Sequence, residues 1–224
     1  MNPRRLAALA VFIAVFSPAF AAEAPGDWRR ILPSEFRLDP PPERGGEQER
    51  KDLAVIRAYQ LDPAFERMRK DGCDFGNRHL TYTYETFYTG FLSADRLAKT
   101  KGLLTEVAGC AAKVVEKLKD QYDRPRPFKV DPEIQPCIPL PPATSTAYPS
   151  GHATFGATTA CVLADLYPNE ADEILRYGRY IGDYRVIVGV HYPSDVDHGE
   201  KLGRAICRRL LDDEGFQAEL RAIR

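Results

Sequence analysis

Fifteen residues near the middle of the chain constrain its fold more than any other segment. From His152 to Leu166 the side chains are small and apolar nearly all round: Ala153, Phe155, Gly156, Ala157, Ala160, Cys161, Leu163 and Ala164 leave no polar face. A helix without a polar face must be wrapped by other elements. The wrapping elements are also helical by pattern. Leu104, Val107, Ala108, Ala111, Val114, Val115 and Leu118 follow the i, i+3, i+4, i+7 spacing of an amphipathic helix. Further helices are expected over 47–60, 63–70, 79–92, 170–188 and 194–211. No pair of strand-like runs flanks a hairpin turn. The expected fold class is all-α, a single-domain bundle of five to eight helices around the central buried one.

The segments outside the bundle carry different signals. Arg4 and Arg5 precede an 11-residue apolar run, Leu6 to Phe16, and then Ala19, Phe20 and Ala21. The run is too short for a bilayer span of ~20 residues. A basic start, a short apolar core and a small-x-small site define a secretory signal peptide over 1–21. Residues 22–46 read as an irregular N-terminal segment, stiffened at Pro40, Pro41 and Pro42, and 47–224 as the helical domain. The net charge of −1 becomes −3 once Arg4 and Arg5 are removed. That balance excludes a dedicated nucleic-acid binder, and 44% hydrophobic residues exclude a disordered chain. An exported protein meets an oxidising compartment, periplasmic or extracellular. Of the five cysteines, Cys73 and Cys137 lie in loop-like sequence and are the first pair to expect. Cys110, Cys161 and Cys207 lie in apolar helical patterns, where buried free thiols are common.

Three polar runs interrupt this scaffold. In the first, Lys119 stands near a helix end, and Arg126 is held between Pro125 and Pro127. Arg grips an oxyanion through two parallel hydrogen bonds, and Lys adds a point charge. Arg124, beside them, reads as a solvated basic helix end. In the second, the Pro-rich loop 123–149 delivers Tyr148, Pro149, Ser150, Gly151 and His152 to the first turn of the buried helix. Free backbone N–H groups and the positive dipole end make that turn an anion cradle. A plain Ser N-cap with an incidental His reads the same run equally well. The third run holds Arg185, Gly189, His191 and Asp195. An Asp four residues after a His can accept the imidazole Nδ1–H, which leaves the Nε2 lone pair free as a nucleophile. On one continuous helix Arg185 and His191 would stand about 120° apart. Both face one anion only if the helix breaks, and Gly189 and Pro193 allow the break.

The order of the three runs, Lys-x6-Arg-Pro, Pro-Ser-Gly-His and Arg-x5-His-x3-Asp, resembles the signature of the type 2 phosphatidic acid phosphatase (PAP2) superfamily. The superfamily includes bacterial class A acid phosphatases, membrane lipid phosphatases and vanadium haloperoxidases. The segment from Leu38 to Ile56 also looks like the start of a class A enzyme. The sequence departs from the usual pattern at Tyr184, where a Ser is common before the arginine, and at Ala147 and Ala153 beside the Pro-Ser-Gly-His run. The resemblance implies a phosphate cradle of Lys119, Arg126, Ser150, Gly151 and Arg185, with His191 as nucleophile, Asp195 as its partner and His152 as acid and base. It implies no metal and no cofactor, with small phosphomonoesters as substrates and neither nucleic acid nor, after signal cleavage, a membrane as partner. A homo-oligomer stays open. His79 and His198 match no position of the signature and read as structural or surface residues. Two other functions remain: a vanadate-dependent haloperoxidase, or a catalytically weak phosphate-binding protein.

Overall fold

The structure is a computed structural model that describes residues 27–79, 83–141 and 145–224. The proposed signal peptide lies outside these residues. Among the described residues nine α-helices follow in order: α1 (Glu47–Leu61), α2 (Glu66–Arg78), α3 (Tyr84–Tyr88), α4 (Ala94–Lys119), α5 (Pro127–Val130), α6 (Gly151–Leu166), α7 (Ala171–Ile187), α8 (Pro193–Leu211) and α9 (Glu214–Ile223). The described residues contain no strand, so the class is all-α. The count exceeds the expected five to eight because α3 and α5 are single turns and α9 follows a break at Asp212. Asp213 restarts the chain there, its side chain accepting the Phe216 N–H. The helix expected over 79–92 shrinks to α3, and 80–82 lie outside the described residues. The helix expected over 63–70 becomes a 3-10 turn at Pro63–Phe65 followed by the longer α2.

The central element is α6. Thirteen of its 16 residues are buried, with α7 and α8 along its flanks and α4 across a third side. Its hydroxyls need partners in that setting. Thr154, Thr158 and Thr159 donate to the carbonyls of Ser150, Thr154 and Phe155 at 2.8–3.0 Å, one turn back along the helix. The crossing of α6 and α7 is closer than side chains permit: a Cβ on Gly156 would lie 2.3 Å from the Gly178 carbonyl oxygen. This proximity sets His152 on α6 and Arg185 on α7 at one end of the bundle.

Two disulfides fasten the bundle. Cys73–Cys137 ties α2 to the loop before α6, as expected. Cys161–Cys207 ties α6 to α8, which overturns the expectation of free thiols at both positions. The two helices pack with these Cα atoms 6.2 Å apart, inside bridging range. Cys110 alone is free, and it is buried. The N-terminal segment is docked: Trp28 is buried edge-on against Phe216, and its indole N–H donates to Glu219 at 3.0 Å. Among the described residues no helix is long and apolar enough to cross a membrane.

Candidate active site

Lys119, Arg126, Gly151, His152, Arg185 and His191 line one cavity of about 370 Å³. The convergence depends on a break after α7. That helix ends at Ile187, and Gly189 follows with φ +79°, a conformation that L side chains rarely adopt. The chain doubles back so that the Arg185 carbonyl accepts the N–H of both Val190 and His191. Pro193 then opens α8, and the Asp195 carboxylate caps it by accepting the Tyr192 N–H at 2.9 Å. His191 is therefore held on a short tether between two helix ends.

The hydrogen bonds fix the tautomer of His191. Arg126 Nη1 stands 2.7 Å from His191 Nε2. A guanidinium only donates, so Nε2 must accept and carry the lone pair. The proton sits on Nδ1, which faces Asp195 Oδ2 at 3.3 Å. Both residues are buried.

Three cations surround this imidazole. Arg126 is braced by the Val190 carbonyl at 2.9 Å and by Ser145 Oγ at 2.8 Å. Lys119, the last residue of α4, donates to the Thr146 carbonyl at 2.7 Å. Arg185 donates to Tyr184 Oη at 3.1 Å, while its Nε lacks a hydrogen-bond partner among the described residues. None of the three has a carboxylate within 4.0 Å among the described residues. Burial and mutual repulsion weaken the charged forms: the Lys119 ammonium is pushed down to about 7 and the Arg126 guanidinium to about 10. His152 and His191 are held well below the usual imidazole value, first by burial and then by these cations. A backbone hydrogen bond to His79 acts in the opposite direction on His152. A pocket of unpaired buried cations calls for an anion.

Other positions differ from expectation. Ser150 does not line the cavity: it is the N-cap of α6, and its hydroxyl accepts the Ala153 N–H. The Gly151 end of the helix does face the cavity. Arg124 is no solvated helix end. It is buried, and it donates to Asp195 Oδ1 at 2.6 Å and to Ser194 Oγ at 2.8 Å. Asp52, Ser194 and Arg124 escaped sequence reasoning because their partners are 70 or more residues away. His79 is structural, stacked between Phe75 and Phe87. His198 is also structural, its Nδ1 on the Ser194 carbonyl at 2.8 Å. Tyr184, where a Ser was usual, touches the ring of His152 edge-on and holds Arg185. Among the described residues no cluster of three His, Cys, Asp or Glu side chains is placed to hold a metal ion.

A cationic anion cradle with a paired His and Asp, at the end of an all-α bundle, defines a class of phosphoryl-handling enzymes. The chain belongs to the PAP2 superfamily, which its residues 102–212 match. It is 30% identical over 201 residues to the non-specific acid phosphatase of Salmonella typhimurium, covering 85% of this chain and 78% of that one. It is 28% identical over 234 residues to the non-specific acid phosphatase of Providencia stuartii, covering 95% and 94%. The fold is shared with a bacterial vanadium-dependent iodoperoxidase, at a TM-score of 0.65 and 16% identity over 83% of this chain and 56% of that one. It is also shared with a transmembrane PAP2-type phosphatidylglycerolphosphate phosphatase of Bacillus subtilis, at 0.53 and 21% over 76% and 86%.

Proposed function

We propose that the protein is an exported, metal-independent acid phosphatase that hydrolyses small phosphomonoesters through a phosphohistidine. The observation that carries this reading is the trio of cations without carboxylate partners around a histidine whose Nε2 bears the lone pair. A phosphate dianion displaces Arg126 from His191 Nε2 and takes hydrogen bonds from Arg126, Arg185, Lys119 and the Gly151 end of α6. His191 Nε2 then attacks phosphorus in line. The P–O ester bond breaks, and His152, which takes up a proton when the dianion binds, gives it to the departing oxygen. Asp195 supports the positive charge left on His191. In the second half His152 removes a proton from water, the oxygen attacks phosphorus, the P–N bond breaks, and phosphate leaves with His191 neutral again. The positive charge that phosphoryl transfer needs comes from side chains, so no metal step is required.

The cavity lining adds a substrate preference. Val115, Ile138, Pro139, Leu140 and Pro141 add an apolar part to the lining of the same cavity. That part suits the organic part of a phosphomonoester, with neither nucleic acid nor a membrane surface as partner. Export rests on the signal-like residues 1–21 and suits a chain with two disulfides.

The test is release of phosphate from an aryl phosphate by the mature protein, with and without chelator, together with rapid-quench labelling. Turnover should survive chelator, and an acid-labile label should sit on His191. Full, reversible loss in chelator, or label on a serine, refutes the mechanism. Halide oxidation with vanadate and peroxide, without phosphate release, would assign the cradle to a haloperoxidase. Tight phosphate binding without turnover would make it a binding protein.

A further inference from the structure

Behind His191 and away from the cavity lies a buried chain of charges that the phosphoryl cradle does not include. Asp195 Oδ2 faces His191, while Oδ1 accepts from Arg124 Nη1 at 2.6 Å. The same Nη1 donates to Ser194 Oγ at 2.8 Å, and Nη2 points to Asp52 Oδ2 at 3.4 Å. Ser194 Oγ donates to that Asp52 oxygen in turn. The Arg124 guanidinium carbon stands 3.8 Å from the centre of the Tyr192 ring. Asp52, Arg124, Ser194, Asp195 and His191 are all more than nine-tenths buried. Asp52 comes from α1, Arg124 from the loop after α4, and Ser194 and Asp195 from the first turn of α8.

We propose that Arg124, gripped by Asp52 and Ser194, is a positioning residue of the reaction: it keeps Asp195 ionised and aimed at His191 Nδ1. The proposal rests on the reading of His191 as nucleophile. Burial alone pushes the Asp195 carboxyl up, and Arg124 is the foremost influence against it. The other groups facing Asp195 cannot replace Arg124. Lys119 and Arg126 act at longer range and are committed to the cradle, and Tyr148 and Tyr192 are neutral phenols. His191 must itself stay neutral to attack. A protonated Asp195 would lose the charge that supports the imidazolium of a phosphohistidine.

The experiment is the pH profile of kcat/KM for one aryl phosphate in wild type, Arg124→Met, Arg124→Lys and Asp52→Asn. The substrate's own ionisation is common to all four. Arg124→Met should lower kcat about tenfold or more and move the acidic limb up by about one pH unit or more. Its KM should change little, because the cradle is untouched. Arg124→Lys should return the limb toward wild type. Asp52→Asn removes the negative charge on the far side of Arg124 and should move the limb down. A purely structural role would lower stability in these variants and leave the limb in place. That result, or shifts of the same sign in Arg124→Met and Asp52→Asn, overturns the proposal. If Arg124→Met does not fold, the downward shift in Asp52→Asn decides alone. Labelling of the wild-type enzyme separates the two readings: label away from His191 refutes the nucleophile, whereas label on His191 with an unmoved limb refutes only the role of Arg124.

Discussion

Anion binding should pull a proton into the site, and the amount can be worked out. Sulfate is the clean probe because it is a tetrahedral dianion that does not titrate above pH 4. In the free site burial, then Arg185, Arg126 and Lys119, favour the neutral form of His152. One negative charge ~4 Å away at an effective dielectric of ~20 contributes ~4 kcal/mol, or ~3 pK units, in favour of the imidazolium. A dianion therefore favours the imidazolium of His152, against the direction in which burial and the cations hold it. Lys119, at about 7 in the free site, is about nine-tenths charged at pH 6 and takes up little more. At pH 8 it is about one-tenth charged, so there it supplies most of the uptake. Because both shifts are upward on binding, affinity rises as pH falls through the bound-state values. Calorimetry of sulfate binding at pH 6 in two buffers of different ionisation enthalpy should report uptake of about one proton. The uptake should vanish in His152→Gln and persist in His191→Gln. Uptake that persists in His152→Gln would show that the acid has been assigned to the wrong ring.

Two further outcomes follow from the scaffold. Cys161–Cys207 spans 46 residues, so the Cys161→Ser, Cys207→Ser pair should lose about 4 kcal/mol by chain-entropy reasoning and lower Tm by about 10 °C in a thermal melt. Leu140, in the apolar part of the lining and largely exposed, should act on the organic part of the substrate only. Leu140→Ser should raise KM for an aryl phosphate severalfold and leave inhibition by inorganic phosphate unchanged.

That Lys119, Arg126, Gly151, His152, Arg185 and His191 meet in one cavity was legible because they fall into three short runs whose chemistry is local: a Pro-fixed arginine, a helix N-terminus, and a His with an Asp four residues on. The fold class was legible because α6 lacks a polar face, which only a wrapped helix tolerates. What escaped was set by distance. Arg124 reads as solvated until α1 brings Asp52 to it across 72 positions. Cys161 and Cys207 look like core thiols until α6 and α8 cross. The aromatic run 79–92 has no helical period strong enough to compete with the turn at Gly90, whose φ is +85°. Ser150 had two readings, and the capping geometry corresponds to the plainer one.

Arg124 also bears on why the cradle stays open. The three cations would be stabilised by a carboxylate, and two buried carboxylates, Asp52 and Asp195, are held nearby on Arg124. If Asp195 turned to Arg126 or Lys119, it would offset part of the pocket's charge and release His191 from its tautomer. Both carboxylates instead flank Arg124, a fourth cation that lies outside the cavity. The acids are thereby held by a partner that never meets the substrate. Lys119, Arg126 and Arg185 keep their charge directed at the cavity, whose lining also includes Glu116, and an incoming anion can offset it. The buried network and the cationic cavity are thus two parts of one electrostatic arrangement, in which Arg124 holds the partner of His191 without entering the cavity.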